Sequence, residues 1–378
     1  MNLIFYCVFI FLWGITKGID IGMPRWLSLL CIVTGGVFWL LKVVRTKYTM
    51  REIYIIIALL SIGLLSYGSI RRLGVMVAVM IVIGAKGTDY RQVLKVLLSL
   101  QIILMVSRVV PELLAVSRGA EWSGLYQGRK ILGIWGGSEQ YRISLGFQHP
   151  NELQKTFFMI TALIVCVFYE RLKKWQITLL FLMNIAVYVL TFSNTGLAVS
   201  MLFFLMVLNL DKHDRIITWV SKNSRYIFVL TVLSVIFLCV MYSEDSRLLD
   251  MVNRLLTGRV RWAHEYINSV RFSLLGRDIE NAQVPYKGLD CGYIHVLLRY
   301  GTVILAAYCI ATYELFKKMH EKGLYVEVFL MLSFQFYFVM ENFLLIGFQN
   351  YTWMLLGCIL LDDNGRSVTA EIGSKQKQ

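Results

Sequence analysis

The run YIFVLTVLSVIFLCVMY at residues 226–242 passes directly into SEDSRLLDMVNRLLTGRVRWAHEYINSVRFSLLGRDIENAQVPYKGLD at residues 243–290. The first stretch is apolar over nearly the roughly 20 residues that a helix needs to cross a bilayer. The second is polar, carries seven Lys/Arg, and ends where another apolar run begins at Cys291. Connections in multi-spanning proteins are mostly short, so a long one with helical periodicity is a working part rather than a tether.

The apolar pattern recurs along the whole chain. Of its 378 residues 57% are hydrophobic, and the mean hydropathy is +0.62. Apolar runs fall at 2–16, 26–41, 53–69, 73–85, 93–110, 153–169, 175–192, 195–210, 226–242, 291–314, 325–341 and 343–361. They predict an all-α polytopic membrane protein with about twelve transmembrane helices, or about eleven if the short run 73–85 and the Pro111-terminated run 93–110 form one fewer crossing. The first run has no basic n-region and no small-residue cleavage site, so it reads as an uncleaved span. One membrane domain is expected over 1–361, with long loops at 111–152 and 243–290 and a polar, disordered tail at 362–378.

Seven cysteines fall almost entirely inside apolar runs, which gives neither a disulfide framework nor a CxxC metal site. The short loops that would face the cytoplasm are all basic, beginning with Lys42, Arg45 and Lys47, then Lys86 and Arg91, then Arg171, Lys173 and Lys174. By the positive-inside rule both termini are cytoplasmic, and the two long loops face outward. The outer loops hold three Lys against thirteen Arg. Topology requires only positive charge, whereas the planar guanidinium fits phosphate and carboxylate oxygens two at a time. An anionic ligand on the outer face is one explanation; compositional bias with contacts to lipid headgroups is the other. No RNA- or DNA-binding motif is present, so nucleic acid is not an expected partner.

Within 243–290, Thr257 and Gly258 can cap a helix starting at Arg259. At 100° per residue, Val260, Trp262, Ala263, Tyr266, Ile267 and Val270 share one face, with Arg261, His264, Glu265, Asn268 and Arg271 opposite. Arg259 falls in the middle of the apolar face and in the first turn, where the helix dipole disfavours a cation. A guanidinium so placed requires an anion, either a ligand or a structural ion-pair partner, unless its stem snorkels to water.

The other long loop ends in RISLGFQHPN, residues 142–151. Pro150 presents His149 and Asn151 at a helix start, where His149 can act as base or hydrogen-bond donor, or serve structure alone. Ser193-Asn-Thr-Gly196 reads as a turn that caps the next helix. Asp278 and Glu280 are too slight a pair for a metal site, and neither a metal nor a cofactor is expected. Glu341-Asn342 interrupts the apolar stretch, facing a polar cavity or marking a helix end. No HExxH, GxSxG or Walker motif occurs.

Taken together, four segments resemble the O-antigen ligase/polymerase superfamily, in particular the Wzy-type polymerases of oligosaccharide repeat units. These are RISLGFQHPN, TFSNTG, LLTGRVRW…LLGRD and DCGYIHVLLRYG, in that order over residues 140–305. Asn194 stands where the family often has Arg, Asp290 where ligases carry His, and Cys291 where Asn is common; the Asp favours the polymerase branch. The resemblance implies a metal-independent glycosyltransferase in the cytoplasmic membrane, acting on undecaprenyl-diphosphate-linked oligosaccharides on the outer face. It implies flippase and chain-length regulator proteins as partners, besides membrane lipids. Arg259 and Arg142 would hold the diphosphate, supported by Arg254, Arg261 or Arg277, with Asn151 and Tyr293 also at the substrate. Asp290 would orient or deprotonate the acceptor hydroxyl, with His149 the second candidate, and Asp290 would stay ionised among several Arg. The rivals are a ligase that moves glycan to another acceptor and a lipid-linked oligosaccharide flippase or exporter; the scarcity of charge in the spans speaks against a flippase.

Overall fold

The computed structural model describes residues 1–18, 23–128, 139–210, 215–280, 282–284 and 288–361. The tail after Leu361, Arg129, Lys130 and Lys287 lie outside the described residues. The chain is mostly helical. It begins with α1 (Asn2–Gly18), α2 (Arg25–Val44), α3 (Met50–Ile70), α4 (Gly74–Ala85) and α5 (Tyr90–Ser117). A two-stranded antiparallel hairpin, β1 (Gly124–Gly128) with β2 (Glu139–Ile143), amends the all-α expectation. Then come α6 (Pro150–Phe168), α7 (Lys174–Thr191), α8 (Asn194–Leu208) and α9 (Arg215–Val240). The segment 243–290 contains α10 (Arg247–Leu255) and α11 (Arg259–Val270), and α12 (Gly292–Arg299), α13 (Thr302–Glu321), α14 (Tyr325–Met340) and the short α15 (Thr352–Leu355) complete the fold.

Six of these helices are long and apolar enough to cross a membrane: α2, α3, α5, α6 with the turn that follows it, α7 and α9. Their surroundings differ sharply. The apolar window of α6 is 67% buried inside the protein, against 11% for α2. Helix α6 therefore runs through the middle of the bundle, beside α14, twelve of whose sixteen residues are buried. Polar groups on these two helices face protein rather than lipid, which is where hydrocarbon tolerates them.

Three sequence expectations change. Helix α5 does not end at Pro111 but runs through it to Ser117, so the loop begins later than expected. An internal proline removes one backbone hydrogen bond, at about 3 kcal/mol, and ending a helix in apolar surroundings would free several more. The run 291–314 is broken at Gly301 into α12 and α13. The run 343–361 is not one helix: 341–350 is a series of buried turns, followed by α15 and a π-helical stretch, Leu356–Leu360. Side chains satisfy its exposed carbonyls. Asn350 Nδ2 and Trp353 Nε1 both donate to Leu344 O, at 2.7 and 2.8 Å, and Gln101 Nε2 donates to Phe348 O at 3.2 Å.

The bundle has two chemically distinct ends. At one, Lys86 pairs with Glu52, Arg91 with Glu170 at 2.8 Å, and Tyr90 donates to Glu327 at 3.0 Å. The other gathers the hairpin, the start of α6, the end of α7, segment 243–290 and the turns after Met340.

Candidate functional site at the hairpin end of the bundle

The turn between α10 and α11 is built from two consecutive left-handed residues, Thr257 at φ 56° and Gly258 at φ 86°. Glycine adopts that conformation freely; a β-branched residue does so only under strain. The Thr257 side chain does not cap α11, against expectation. Its hydroxyl instead accepts a hydrogen bond from Arg259 Nη1 at 2.7 Å. Helix α11 starts at Arg259, and its buried face is Arg259, Val260, Ala263, Tyr266, Ile267 and Val270.

Arg259 is 7% exposed. Its anions come from the chain itself. Nη2 lies 3.3 Å from Glu341 Oε1, and Nε lies 3.4 Å from Asp290 Oδ2. Glu341 is the residue at which α14 ends in an extended conformation, so its carboxylate turns into the cluster. Asp290 precedes α12, with its side chain 36% exposed, and is the member of the pair that a solute can reach. Burial raises the Asp290 carboxyl above its ordinary value, and the Arg259 guanidinium pulls it back only in part. The expectation of a carboxylate held ionised by several Arg is thereby corrected: Arg259 is its one ion-pair partner among the described residues.

A polar relay continues from Glu341 into the start of α6. Asn151 Nδ2 donates to Glu341 Oε1 at 2.9 Å, and Arg142 Nη2 donates to Asn151 Oδ1 at 2.7 Å. Arg142 Nε also donates to the last carbonyl of α7, Thr191 O, at 2.7 Å. Arg142 was expected on a diphosphate, but its side chain is fully buried. It touches Asn151 and the end of α7, and so acts on the site through Asn151. His149 caps α6, accepting from Asn151 N–H with Nδ1 at 3.0 Å.

The remaining expected residues disperse. Arg254 is exposed and pairs with Asp250 at 2.7 Å; Arg261 is exposed and pairs with Glu265 at 3.0 Å and Glu244 at 3.2 Å. Neither pairs with Asp290 or Glu341. Tyr293 is buried, and its hydroxyl donates to Gln335, so it is a core residue and not a substrate contact. Arg277 donates weakly to Val270 O at 3.4 Å and lines a polar cleft of about 410 Å³ with Ser269, Asp278 and Gln283. Glu280 is taken up by Arg72 and Arg299, and no metal-binding group of His, Cys, Asp and Glu occurs among the described residues. Ser193 does not cap α8 with its side chain; its buried hydroxyl has no hydrogen-bond partner among the described residues. A second, narrow cleft has Arg259 in its wall and is otherwise apolar, formed by Val235, Leu238, Cys239, Leu256, Val260, Cys291 and Val339.

Two participants escaped the sequence reading. Glu341, expected to face a polar cavity or mark a helix end, does end α14, but its pairing with Arg259 was not foreseen. Lys155, 8% exposed in the second turn of α6, was passed over inside an expected span. An ionisable residue within an apolar run was the available signal for both. The chain matches no family model, no curated protein and no solved structure.

Proposed function

We propose that the protein polymerises lipid-linked oligosaccharide repeat units at the outer face of the cytoplasmic membrane, in a chain of about twelve crossings with both termini inside. The observation that carries this reading is the Arg259–Asp290 contact at 3.4 Å, with an inward guanidinium beside a carboxyl open to solutes. In the reaction the bond between the sugar's anomeric carbon and the lipid diphosphate breaks, and the electron pair leaves with the diphosphate. An acceptor hydroxyl of a second repeat unit bonds to that carbon, and its proton passes to Asp290. Arg259 stabilises the charge that develops on the leaving oxygen. Burial, by raising the Asp290 carboxyl, makes it a better proton acceptor than an exposed aspartate. The polar cleft at Arg277 suits sugar hydroxyls. The sequence resemblance to repeat-unit polymerases points the same way, and no cofactor is invoked.

One observation favours a lipid-linked oligosaccharide flippase instead. Lys155 and Glu327 are buried among the helices and Glu341 is half-buried at the end of α14, more charge than the sequence reading allowed the spans. The two readings separate on Arg259→Ala examined in cells. A polymerase defect leaves single repeat units on the outer leaflet, and a flippase defect leaves none. Unchanged polymer length and amount would show that Arg259 is not at the site.

A further inference from the structure

Five cationic side chains, Lys42, Lys86, Arg142, Lys155 and Arg259, are buried among the described residues. Four have oxygen partners: Lys42 meets Thr46 and the Lys86 carbonyl, Lys86 meets Glu52, and Arg142 and Arg259 are held as described above. Lys155 has neither a hydrogen bond nor an ion pair among the described residues. Its ammonium sits 5.0 Å from the centre of the Phe343 ring, and the charges that act on it are Glu341, Glu152 and Arg108. A ring face returns only part of the hydration that an ammonium loses on burial.

Its position ties it to the cluster. Lys155 is one helical turn along α6 from Asn151, which donates to Glu341, and Phe343 follows Glu341 by two residues. Arg108 and Glu152, 3.7 Å apart, answer each other. Arg259 already engages both Glu341 and Asp290, while Arg142 bonds to Asn151 and Thr191 O. Lys155 is thus the buried cation without an oxygen partner of its own among the described residues, and a compact ammonium takes phosphate oxygens as a point charge without a required plane.

We propose that Lys155 is a direct ligand for a diphosphate-type anion, acting with Arg259 across Glu341. The proposal rests on the reading above only in taking that anion to be the leaving group. The source is either a lipid headgroup or free diphosphate, and two probes separate them. Binding to the full-length protein in detergent is measured with sugar-free polyprenyl diphosphate and with inorganic diphosphate, for wild type, Lys155→Met and Lys155→Arg.

The expected result is that Lys155→Met weakens binding about 10- to 100-fold, the range for losing one charge-assisted contact, while Lys155→Arg retains most of the affinity. Ligand-free Lys155→Met should melt no lower than wild type, because an uncompensated buried charge is gone. Binding of both probes identifies the diphosphate group as what is read; binding of the prenyl form alone identifies a lipid headgroup, and each supports the proposal when it depends on Lys155. Wild-type affinity in Lys155→Met overturns it, and should that variant fail to fold, wild-type affinity in Lys155→Gln does the same. Lys155-dependent binding in a protein that never lengthens glycans ends the polymerase reading and leaves this site standing. Polymerisation with no affinity change in Lys155→Met does the reverse.

Discussion

Arg259 and Glu341, 82 positions apart in sequence, meet at 3.3 Å where α11 begins and α14 ends. The contact joins the long polar segment to a helix with twelve of its sixteen residues buried. Breaking one side of a buried ion pair typically costs about 3–5 kcal/mol, because the other charge remains uncompensated. Arg259→Met should therefore lower stability in detergent by about that amount, and Arg259→Met with Glu341→Gln should recover most of it. Denaturant unfolding of the single and double variants checks this. Equal losses in the two would deny that the pair is coupled.

Thr257 makes a separable prediction. Its left-handed backbone costs on the order of 1 kcal/mol or more, while its hydroxyl holds Arg259 Nη1. Thr257→Gly should raise the melting temperature and lower polymer output about tenfold. Thr257→Ser, which keeps the hydroxyl, should stay close to wild type in output. A Gly variant that is both more stable and fully active would show that the strain serves no positioning role.

The site was legible in the sequence where a residue broke a local rule. Arg259 stood out as a charge on the apolar face of a helix, and Asp290 as an acid at the entry to an apolar run. Their partners were not legible. Glu341 meets Arg259 only through the tertiary packing of α11 against the bundle, and hydropathy says nothing of which helix ends converge. Arg142 looked like Arg259 in a census of loop charges, yet the hairpin folds it inward against Thr191 and Asn151. Lys155 is one of two basic residues, with Arg299, that no loop on either face accounts for, so its signal was a remainder rather than a motif. The run 343–361 misled for a different reason. Apolar composition fixes burial but not backbone path, and the buried turns rest on local bonds from Asn350 and Trp353 to Leu344 O and on one from Gln101 across the fold.

The glycines of LLGRD and LLRYG have a structural role of their own. Gly276, at φ 85°, and Gly301, at φ 94°, sit back to back. A Cβ on Gly276 would lie 2.0 Å from Arg299 O, and one on Gly301 2.2 Å from Leu274 O. Backbone cannot yield as a flexible side chain can, and the left-handed conformation adds about 1–2 kcal/mol. Gly276→Ala and Gly301→Ala should each cost at least about 2 kcal/mol by these contributions, read as reduced membrane yield and a lowered melting temperature. Gly119→Ala is the control: its Cβ would meet nothing within 4 Å, so only the conformational cost applies.

If Asp290 accepts the acceptor's proton as proposed, it sets the pH dependence. The base form is the carboxylate, so output should fall as pH drops through the Asp290 pKa. Burial raises that pKa, so the acid limb should lie above the ordinary aspartate value of about 3.9. The Arg259 guanidinium opposes burial by favouring the ionised form. Removing it in Arg259→Gln should move the limb of the residual activity further up, not down. Asp290→Asn should lose about 100- to 10,000-fold and leave no limb in this range. The measurement is polymer formation against pH, with lipid-linked repeat units and purified protein, for wild type and both variants. A limb that stays put in Arg259→Gln would mean that the group titrating is not the carboxyl facing Arg259.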